Sequence, residues 1–502
     1  MAESEVRSEM REYWKEHSKE SSAKEMMLDS KGELLVTAEV DEIMSYLPPL
    51  SNKDVIELGA GIGRYTGLLA EKCKSLVAVD FMEGFLKKNK ELNCHHGNIN
   101  YKCVDVTKLE LPLVSADLVF SNWLMMYLSD DEVKALVASQ LSWLREGGYC
   151  FARESCFRQS GDLTRSFNPS KYRAPADYER LFRSVSLPTE DDQGVYIFEL
   201  VLSKSVDAYI RLKNNNSQIV WLLQKVRVGK ERYQGYHTFQ QFLDSRQYSK
   251  ESILRYEKVF GQNFVSTGGL KTTQEFVSML DLKKGQKVLD VGAGIGGSAF
   301  YMAKEYGVNV LGVDLSSNMI SIALERVEQM AGDKSQVKFE VADVTKRQYP
   351  CDSFDVIYSR DTILHIQDKP ALFSKFYSWL KPGGKVMISD YCCKDGELSE
   401  EYKAYVRQRG YFVVSPQQYG QLLNSAGFTA VRTEDRTEQF VEVLKGELCQ
   451  TEKNKEEFIA EFTEDGYNTI VNGWKDKLRR CGMGDQRWAL FYGEKPDSSQ
   501  PQ

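Results

Sequence analysis

The sequence predicts an α/β protein of two tandem domains, each a doubly wound, mostly parallel sheet. A chain of 502 residues exceeds what one hydrophobic core supports. Short apolar runs ending at glycines alternate with stretches of helical spacing, the pattern of βαβ units. The whole pattern also occurs twice. VIELGAGIGRYTGLLA at 55–70 returns as VLDVGAGIGGSAFYMA at 288–303.

The elements follow in order. VIEL and VLDV read as buried parallel strands, since both lack polar alternation. RYTGLLAEKC and GSAFYMAKEYG have helical spacing. LVAVD and VLGVD are second strands, ending at Asp80 and Asp314. YKCVDVTKLELP (101–112) pairs with FEVADVTKRQYP (339–350), and ADLVFSNWLMMYLSD pairs with FDVIYSRDTILHIQD. LSWLREGGYCFARESC (141–156) pairs with YSWLKPGGKVMISDYC (377–392). Matching segments stand 233 to 238 residues apart, so the chain is two copies of one fold. Domains over 1–230 and 231–502 are expected. They join near 225–245, where the basic, aromatic KVRVGKERYQGYH reads as a connector. Such a sheet binds its ligand at the carboxyl edge of the strands.

Composition narrows the function. Net charge is −7 with both signs interspersed, which argues against nucleic acid or an anionic membrane as the main partner. No apolar run reaches the length of a membrane span. The first residues, MAESEVRSEMREYWKEH, hold no apolar signal core. The ten cysteines contain no CxxC pair and no finger-like Cys/His spacing. Reduced, buried thiols in a cytoplasmic protein without a metal site are expected.

The glycine loops select a ligand class. Glycines let backbone approach a nucleotide-like ligand closely. Glu57 and Asp290 sit at the end of the first strand, which disfavours a pyrophosphate and suits a cation. Asp80 and Asp314 can hold ribose hydroxyls. Asp105 with Val106, and Asp343 with Val344, can accept from an adenine amino group. Three carboxylates, a glycine loop and no P-loop lysine describe S-adenosylmethionine. A nicotinamide-type fold with incidental acids is the competing reading; recurrence of the acids in both copies counts against it.

The arrangement resembles the class I, Rossmann-like methyltransferases in both halves. YWKEHS…MMLDS, SNWLMMYLSD and RQYSKESILRYEKVFGQNFVSTGGL make the resemblance closer. They are similar to the plant-type two-domain phosphoethanolamine N-methyltransferases over nearly the whole chain. The resemblance implies successive methylation of phosphoethanolamine to phosphocholine, a precursor for phosphatidylcholine synthesis. S-adenosylhomocysteine would be the other product.

The chemistry asks for an amine freed of its proton, a held phosphate and an in-line methyl donor. The resemblance implies that His365 assists deprotonation, Tyr248 latches and orients, and Asp361 stands beside the amine. It implies Tyr391, Tyr405, Arg409, Tyr411, Lys477 and Gln247 for the phosphate. Tyr405 and Arg409 are four apart and would share a helix face. For the second cofactor site it implies Val265, Ser266, Asp290, Gly292, Asp314, Leu315, Asp343, Val344 and Arg360. For the first it implies Glu57, Gly59, Arg64, Asp80, Asp105, Val106 and Asn122.

The first acceptor pocket lacks the Tyr/Arg helix. RESCFRQSGDLTRSFNPSKYR (153–173) replaces it, and the resemblance points to Ser155, Ser160, Gly161, Arg165 and Tyr172. Tyr127 falls where His365 stands. A phenol titrates near ~10 and is a poor base at neutral pH. The resemblance implies that the two sites divide the methylations, the first domain making the N-monomethyl phosphate ester (the monomethyl ester) and the second adding the rest. Methylation of another small amine such as glycine or sarcosine remains an alternative, as does a tandem with one inactive, regulatory domain. The expected partners are small phosphoamine substrates, with no nucleic acid, no stable membrane association and a monomeric chain.

Overall fold

The computed structural model describes residues 12–15, 27, 29–162, 168–229, 235–330 and 332–497. Two compact units divide the chain, one of Met1–Phe242 with Val327–Ser335, the other of Leu243–Arg326 with Gln336–Gln502.

In the first unit the strands are β1 (Asp54–Leu58), β2 (Ser75–Asp80), β3 (Ile99–Cys103), β4 (Ala116–Asn122) and β5 (Leu144–Ser155). A short β6 (Leu187–Pro188) precedes the long antiparallel β7 (Gly194–Ser205) and β8 (Gln218–Gly229). The hydrogen-bonded order is β3-β2-β1-β4-β5-β8-β7; β1 to β5 are parallel, β8 runs against them and β7, antiparallel to β8, runs with them again. The apolar run of β1 is buried from Val55 through Leu58, as a parallel strand covered on both faces requires.

The second unit repeats the order with β9 (Lys287–Val291), β10 (Asn309–Asp314), β11 (Val337–Val341), β12 (Phe354–Arg360), β13 (Leu380–Cys393), β14 (Thr429–Asp435) and β15 (Gln486–Glu494). Its order is β11-β10-β9-β12-β13-β15-β14. In both sheets the strand order reverses beside the first strand, β1 or β9. Ligands of doubly wound sheets bind at that crevice.

Two expectations change. Lys225–Gly229 is not connector but the end of β8, with Val226 and Val228 alternating against β7. All ten cysteines are free thiols, but Cys94, Cys103, Cys351 and Cys449 are exposed. Among the described residues no helix is long and apolar enough to cross a membrane.

Candidate active sites

The cofactor side is built twice with the same bonds. Gly61 and Gly294 take φ of 51° and 54°, a left-handed conformation that glycine adopts without steric cost. That turn aims the Gly61 N–H at Asp80 Oδ2 (2.8 Å) and the Gly294 N–H at Asp314 Oδ2 (2.9 Å). The other oxygens accept from Met82 N–H (2.9 Å) and Ser316 N–H (2.8 Å). Asp105 and Asp343 each cap the next turn, accepting from Thr107 N–H and Thr345 N–H at 3.0 and 2.9 Å. Val106 is half-buried and Val344 buried beside them.

These acids are crowded and dry. Burial pushes Glu57 up to about 8, opposed by the Thr66 hydroxyl and reinforced by Asp80. Asp290 rises to about 7, through burial and then Asp314. Asp80 and Asp314 each rise to about 6 by burial, against the pull of their backbone donors. A cation brought between such pairs relieves both desolvation and repulsion. The donor set fits S-adenosylmethionine, which carries an ammonium, a sulfonium and a ribose.

In the first unit a cleft of about 1000 Å³, counting its open mouth, opens at this edge. Glu57, Gly59, Arg64, Asp80, Asn122, Tyr127, Ser155, Ser160 and Tyr172 line it, with Trp14 among the aromatic walls. Asp105, Val106 and Gly161 are not in the lining; Arg165 lies outside the described residues. Arg64 was expected at the cofactor, yet its guanidinium is paired with the buried Glu39 and lies 5.1 Å from the Trp123 ring. Ser155 Oγ donates to Ser160 Oγ at 3.2 Å, so the two predicted hydroxyls meet. Tyr127 packs edge-on against Trp14, ring centroids 5.6 Å apart.

In the second unit Tyr248 OH lies 3.5 Å from His365 Nε2 and accepts from Gln247 Nε2 at 3.0 Å. Asn318 Nδ2 holds the Tyr248 carbonyl (2.8 Å), and Asp244 accepts from Ser316 Oγ (2.5 Å), which seats this segment on the Asp314 loop. Val265 packs with Tyr248 against Ile253, Ile295, Met319 and Ile322. Ser266, beside it, bonds Gly269 N–H through its carbonyl. Leu315 follows Asp314 in the loop, half-buried. Gly292 has no room for a side chain; a Cβ there would sit 1.9 Å from Thr362 Oγ1.

The Glu400–Arg409 helix is capped by Ser399 and ends at Gly410, whose φ of 67° turns the chain toward Tyr411. The Tyr411 ring stands 5.0 Å from His365 and 5.8 Å from Tyr405. Lys477 Nζ lies 5.9 Å from the Tyr391 ring. Burial pushes the Tyr391 and Tyr411 phenols well above their usual range, so both stay protonated donors. Burial lowers Lys477, with Glu447 opposing. Burial, then the charges of Arg409 and Lys369, push His365 down to about 3, so it is neutral.

Sequence reasoning overlooked several groups. Asp361 is held by Trp488 Nε1 (2.8 Å), Ser389 Oγ (3.2 Å) and Thr267 N–H (3.3 Å). Glu447 accepts from Gly268 N–H and Trp474 Nε1, both at 2.9 Å. Arg480 lies 3.7 Å from the Tyr405 ring centre. Trp488, Glu447, Trp474 and Arg480 come from the last third of the unit, beyond the segments that align between the two copies. Arg360, expected at the cofactor, donates to Thr267 O (2.6 Å) and Thr273 Oγ1 (2.8 Å), tying down the turn after Ser266.

Two different methyltransferase-domain family models match, one over residues 55–148 and the other over residues 270–433. Phosphoethanolamine N-methyltransferase 3 of Arabidopsis thaliana is 53% identical over 98% of this chain and 99% of its own length. The phosphoethanolamine N-methyltransferase of Triticum aestivum is 52% identical over 98% of this chain and 96% of its own. Among solved structures, phosphoethanolamine N-methyltransferase 2 of Haemonchus contortus, bound to phosphomonomethylethanolamine and S-adenosylhomocysteine, superimposes with a TM-score of 0.75. It is 28% identical, covering 92% of this chain and 99% of that one.

Proposed function

The chain belongs to the phosphoethanolamine N-methyltransferase family, and from this premise we infer how its two sites share the work. The protein transfers methyl groups from S-adenosylmethionine to the nitrogen of phosphoethanolamine, through its N-monomethyl and N,N-dimethyl forms (the mono- and dimethyl esters) to phosphocholine. We propose that the domain of residues 1–230 performs the first transfer and that of residues 231–502 the later ones. The observation that carries this division is the 3.5 Å contact of Tyr248 with His365, against the ring contact of Trp14 with Tyr127 in the other copy.

When bound, S-adenosylmethionine supplies a methyl group on a positively charged sulfur. Glu57 and Asp80, or Asp290 and Asp314, bind its cationic and ribose groups. An alkylammonium titrates near ~10 and cannot attack while protonated. In the second site His365 is neutral and takes the amine proton, with Tyr248 orienting the imidazole. The phosphate dianion rests against Arg409, Lys477 and the hydroxyls of Tyr391, Tyr405 and Tyr411, with Gln247 at its edge. Its charge offsets Arg409, which raises the basicity of His365 once substrate is seated. Asp361, fixed by three donors, presents a rigid carboxylate to the methylammonium head. In the first site Ser155, Ser160, Gly161, Arg165 and Tyr172 hold the phosphate. Tyr127 there closes the pocket rather than accepting a proton. Further cofactor contacts are proposed for Gly59, Asn122, Asp105 and Val106, and for Val265, Ser266, Leu315, Gly292, Asp343 and Val344. Arg64 and Arg360 shape their loops.

We propose a cytoplasmic monomer without a nucleic-acid partner, a reading supported by the charge of −7 and the ten free thiols. The division is tested in the full chain with one cofactor site disabled at a time. Glu57→Ala with Asp80→Ala is expected to abolish use of phosphoethanolamine but leave use of the mono- and dimethyl esters. Asp290→Ala with Asp314→Ala is expected to stop the reaction at the monomethyl ester. Release of all three products by one variant would end the division.

A further inference from the structure

The residues that carry Tyr127 and His365 form one-turn helices, Met125–Tyr127 and Ile363–His365. So short a turn satisfies few of its own carbonyls, and a buried unpaired carbonyl is costly. In the second unit Lys369 Nζ donates to Ile363 O (3.0 Å) and Ile366 O (2.8 Å). In the first, Arg173 donates to Met125 O (3.0 Å) and Leu128 O (2.6 Å). At the repeat spacing of 238 these are the same two carbonyls. The cations come from different places. Lys369 opens the helix directly after its turn, whereas Arg173 follows the divergent 153–172 stretch. The position that aligns with Lys369 is the exposed Asp131.

Each cation also joins the turn to the proposed phosphate side. Lys369 Nζ donates to Phe412 O (2.6 Å), and Phe412 N–H donates to Leu364 O (2.7 Å), beside Tyr411. Lys171 N–H donates to Met126 O (2.7 Å), and Tyr172 lies between Lys171 and Arg173. A buried carboxylate completes each clamp. Glu154 accepts from the N–H groups of Leu124, Met125 and Met126 at 3.1, 2.7 and 3.2 Å. Asp390 bonds the backbone of Leu364 and Tyr391. Arg173 and Lys369 are 4% and 3% exposed, so neither is an incidental surface charge.

We propose that Lys369 and Arg173 are positioning residues for the two methyl transfers. Each locks the turn bearing His365 or Tyr127 at a set distance from the tyrosine, Tyr411 or Tyr172, on the phosphate side. The proposal rests on the reading of both sites given above. It explains why a cation recurs on the same carbonyls while its place in the chain does not.

The test measures the full chain with phosphoethanolamine and, separately, with its monomethyl ester. A misplacement of about 1 Å costs on the order of a hundredfold. Lys369→Met is expected to lower kcat for the monomethyl ester at least about tenfold and to raise its KM, with KM for S-adenosylmethionine unchanged. The phosphoethanolamine step is the internal control and stays constant, while Lys369→Arg restores the rate. Arg173→Met and Arg173→Lys give the mirror result on phosphoethanolamine. Lys369→Met with Asp390→Asn removes both buried charges and is expected to show the same split. Unchanged kcat and KM in these variants would overturn the proposal. So would loss of one of the two S-adenosylhomocysteine sites by calorimetry, because the clamp would then only hold the domain together. A wild-type chain that turned over neither ester would instead overturn the reading of the sites, and the clamp with it.

Discussion

The two sites agree on one side and part on the other. On the cofactor side Gly61–Asp80 and Gly294–Asp314 are matched within 0.1 Å, at 2.8 and 2.9 Å. The agreement reaches the strained backbone after the fourth strand, where Trp123 and Asp361 take φ of 56° and 49°. Yet that shared kink delivers opposite side chains. The Trp123 ring has Arg153 at 4.2 Å and Arg64 at 5.1 Å, its indole N–H given to Gln218. Asp361 gathers three donors around a carboxylate. The two copies thus share the backbone of the glycine loop and of the kink, while the side chains that the kink carries differ. A cation–aromatic stack and a carboxylate impose different demands on an amine, and the difference lies where the two substrates would differ.

The largest effect that could break this comparison is at the Tyr127/His365 pair. His365→Ala is expected to slow transfer to the monomethyl ester by about 10²–10⁴-fold, the usual worth of a general base. Turnover of phosphoethanolamine should hold. Tyr127→Phe, which keeps the ring against Trp14, is expected to leave the first step within about threefold. Product analysis by mass spectrometry reads both; an equal loss at both sites would mean that the sites work alike.

A smaller effect separates the phosphate pockets. Arg409→Gln removes a charged donor, typically about 1.5–3 kcal/mol, so KM for the monomethyl ester should rise some ten- to hundredfold. The same change removes a positive neighbour that depresses His365, so the imidazole must titrate higher. Carbon-detected NMR of the histidine ring checks the sign; a further fall in its pKa would show that Arg409 does not face it.

Glycine replacement sharpens the comparison within the common half. Gly292→Ala meets Thr362 as well as a φ of 75°, whereas Gly59→Ala meets only a φ of 70°, its nearest neighbour being Leu124 at 3.6 Å. The first is expected to weaken S-adenosylhomocysteine binding in its site more than the second does in its own. Left-handed strain alone is worth about 1–2 kcal/mol. Calorimetry on each variant ranks them.

The smallest effect is in pH. Burial lowers the Lys477 ammonium, so the cation is present at lower pH and is lost as pH rises through its depressed value. KM for the monomethyl ester should therefore climb on the alkaline side. Glu447→Gln, which removes the carboxylate supporting the charge, should move that climb to lower pH. The first step, without this lysine, should show no such limb.

Much of this was legible in the chain. The repeat marked both glycine loops and their acids, because a strand ending at glycines before a carboxylate is a local pattern. The Tyr405/Arg409 face was legible from helical spacing. For Arg64 and Arg360 the sequence marked the position but not the partners, since alignment with a motif does not tell which way a long guanidinium reaches. Both turned to buried partners, Glu39 in one case and the Thr267–Thr273 turn in the other. Trp488, Glu447 and Arg480 were invisible, because they reach their sites from far along the chain.

The sequence by itself determined that the protein is one α/β fold used twice, with acids placed at corresponding strand ends. Those features depend on periodicity and on glycine, which act within a few residues of chain. Only the tertiary structure decided what surrounds each acceptor site. Trp14 meets Tyr127, Trp488 holds Asp361, and Arg173 and Lys369 reach the same carbonyls from unrelated positions. A buried charge or carbonyl must find a partner, and the partner is whatever packing brings within 3 Å, wherever it lies in the chain.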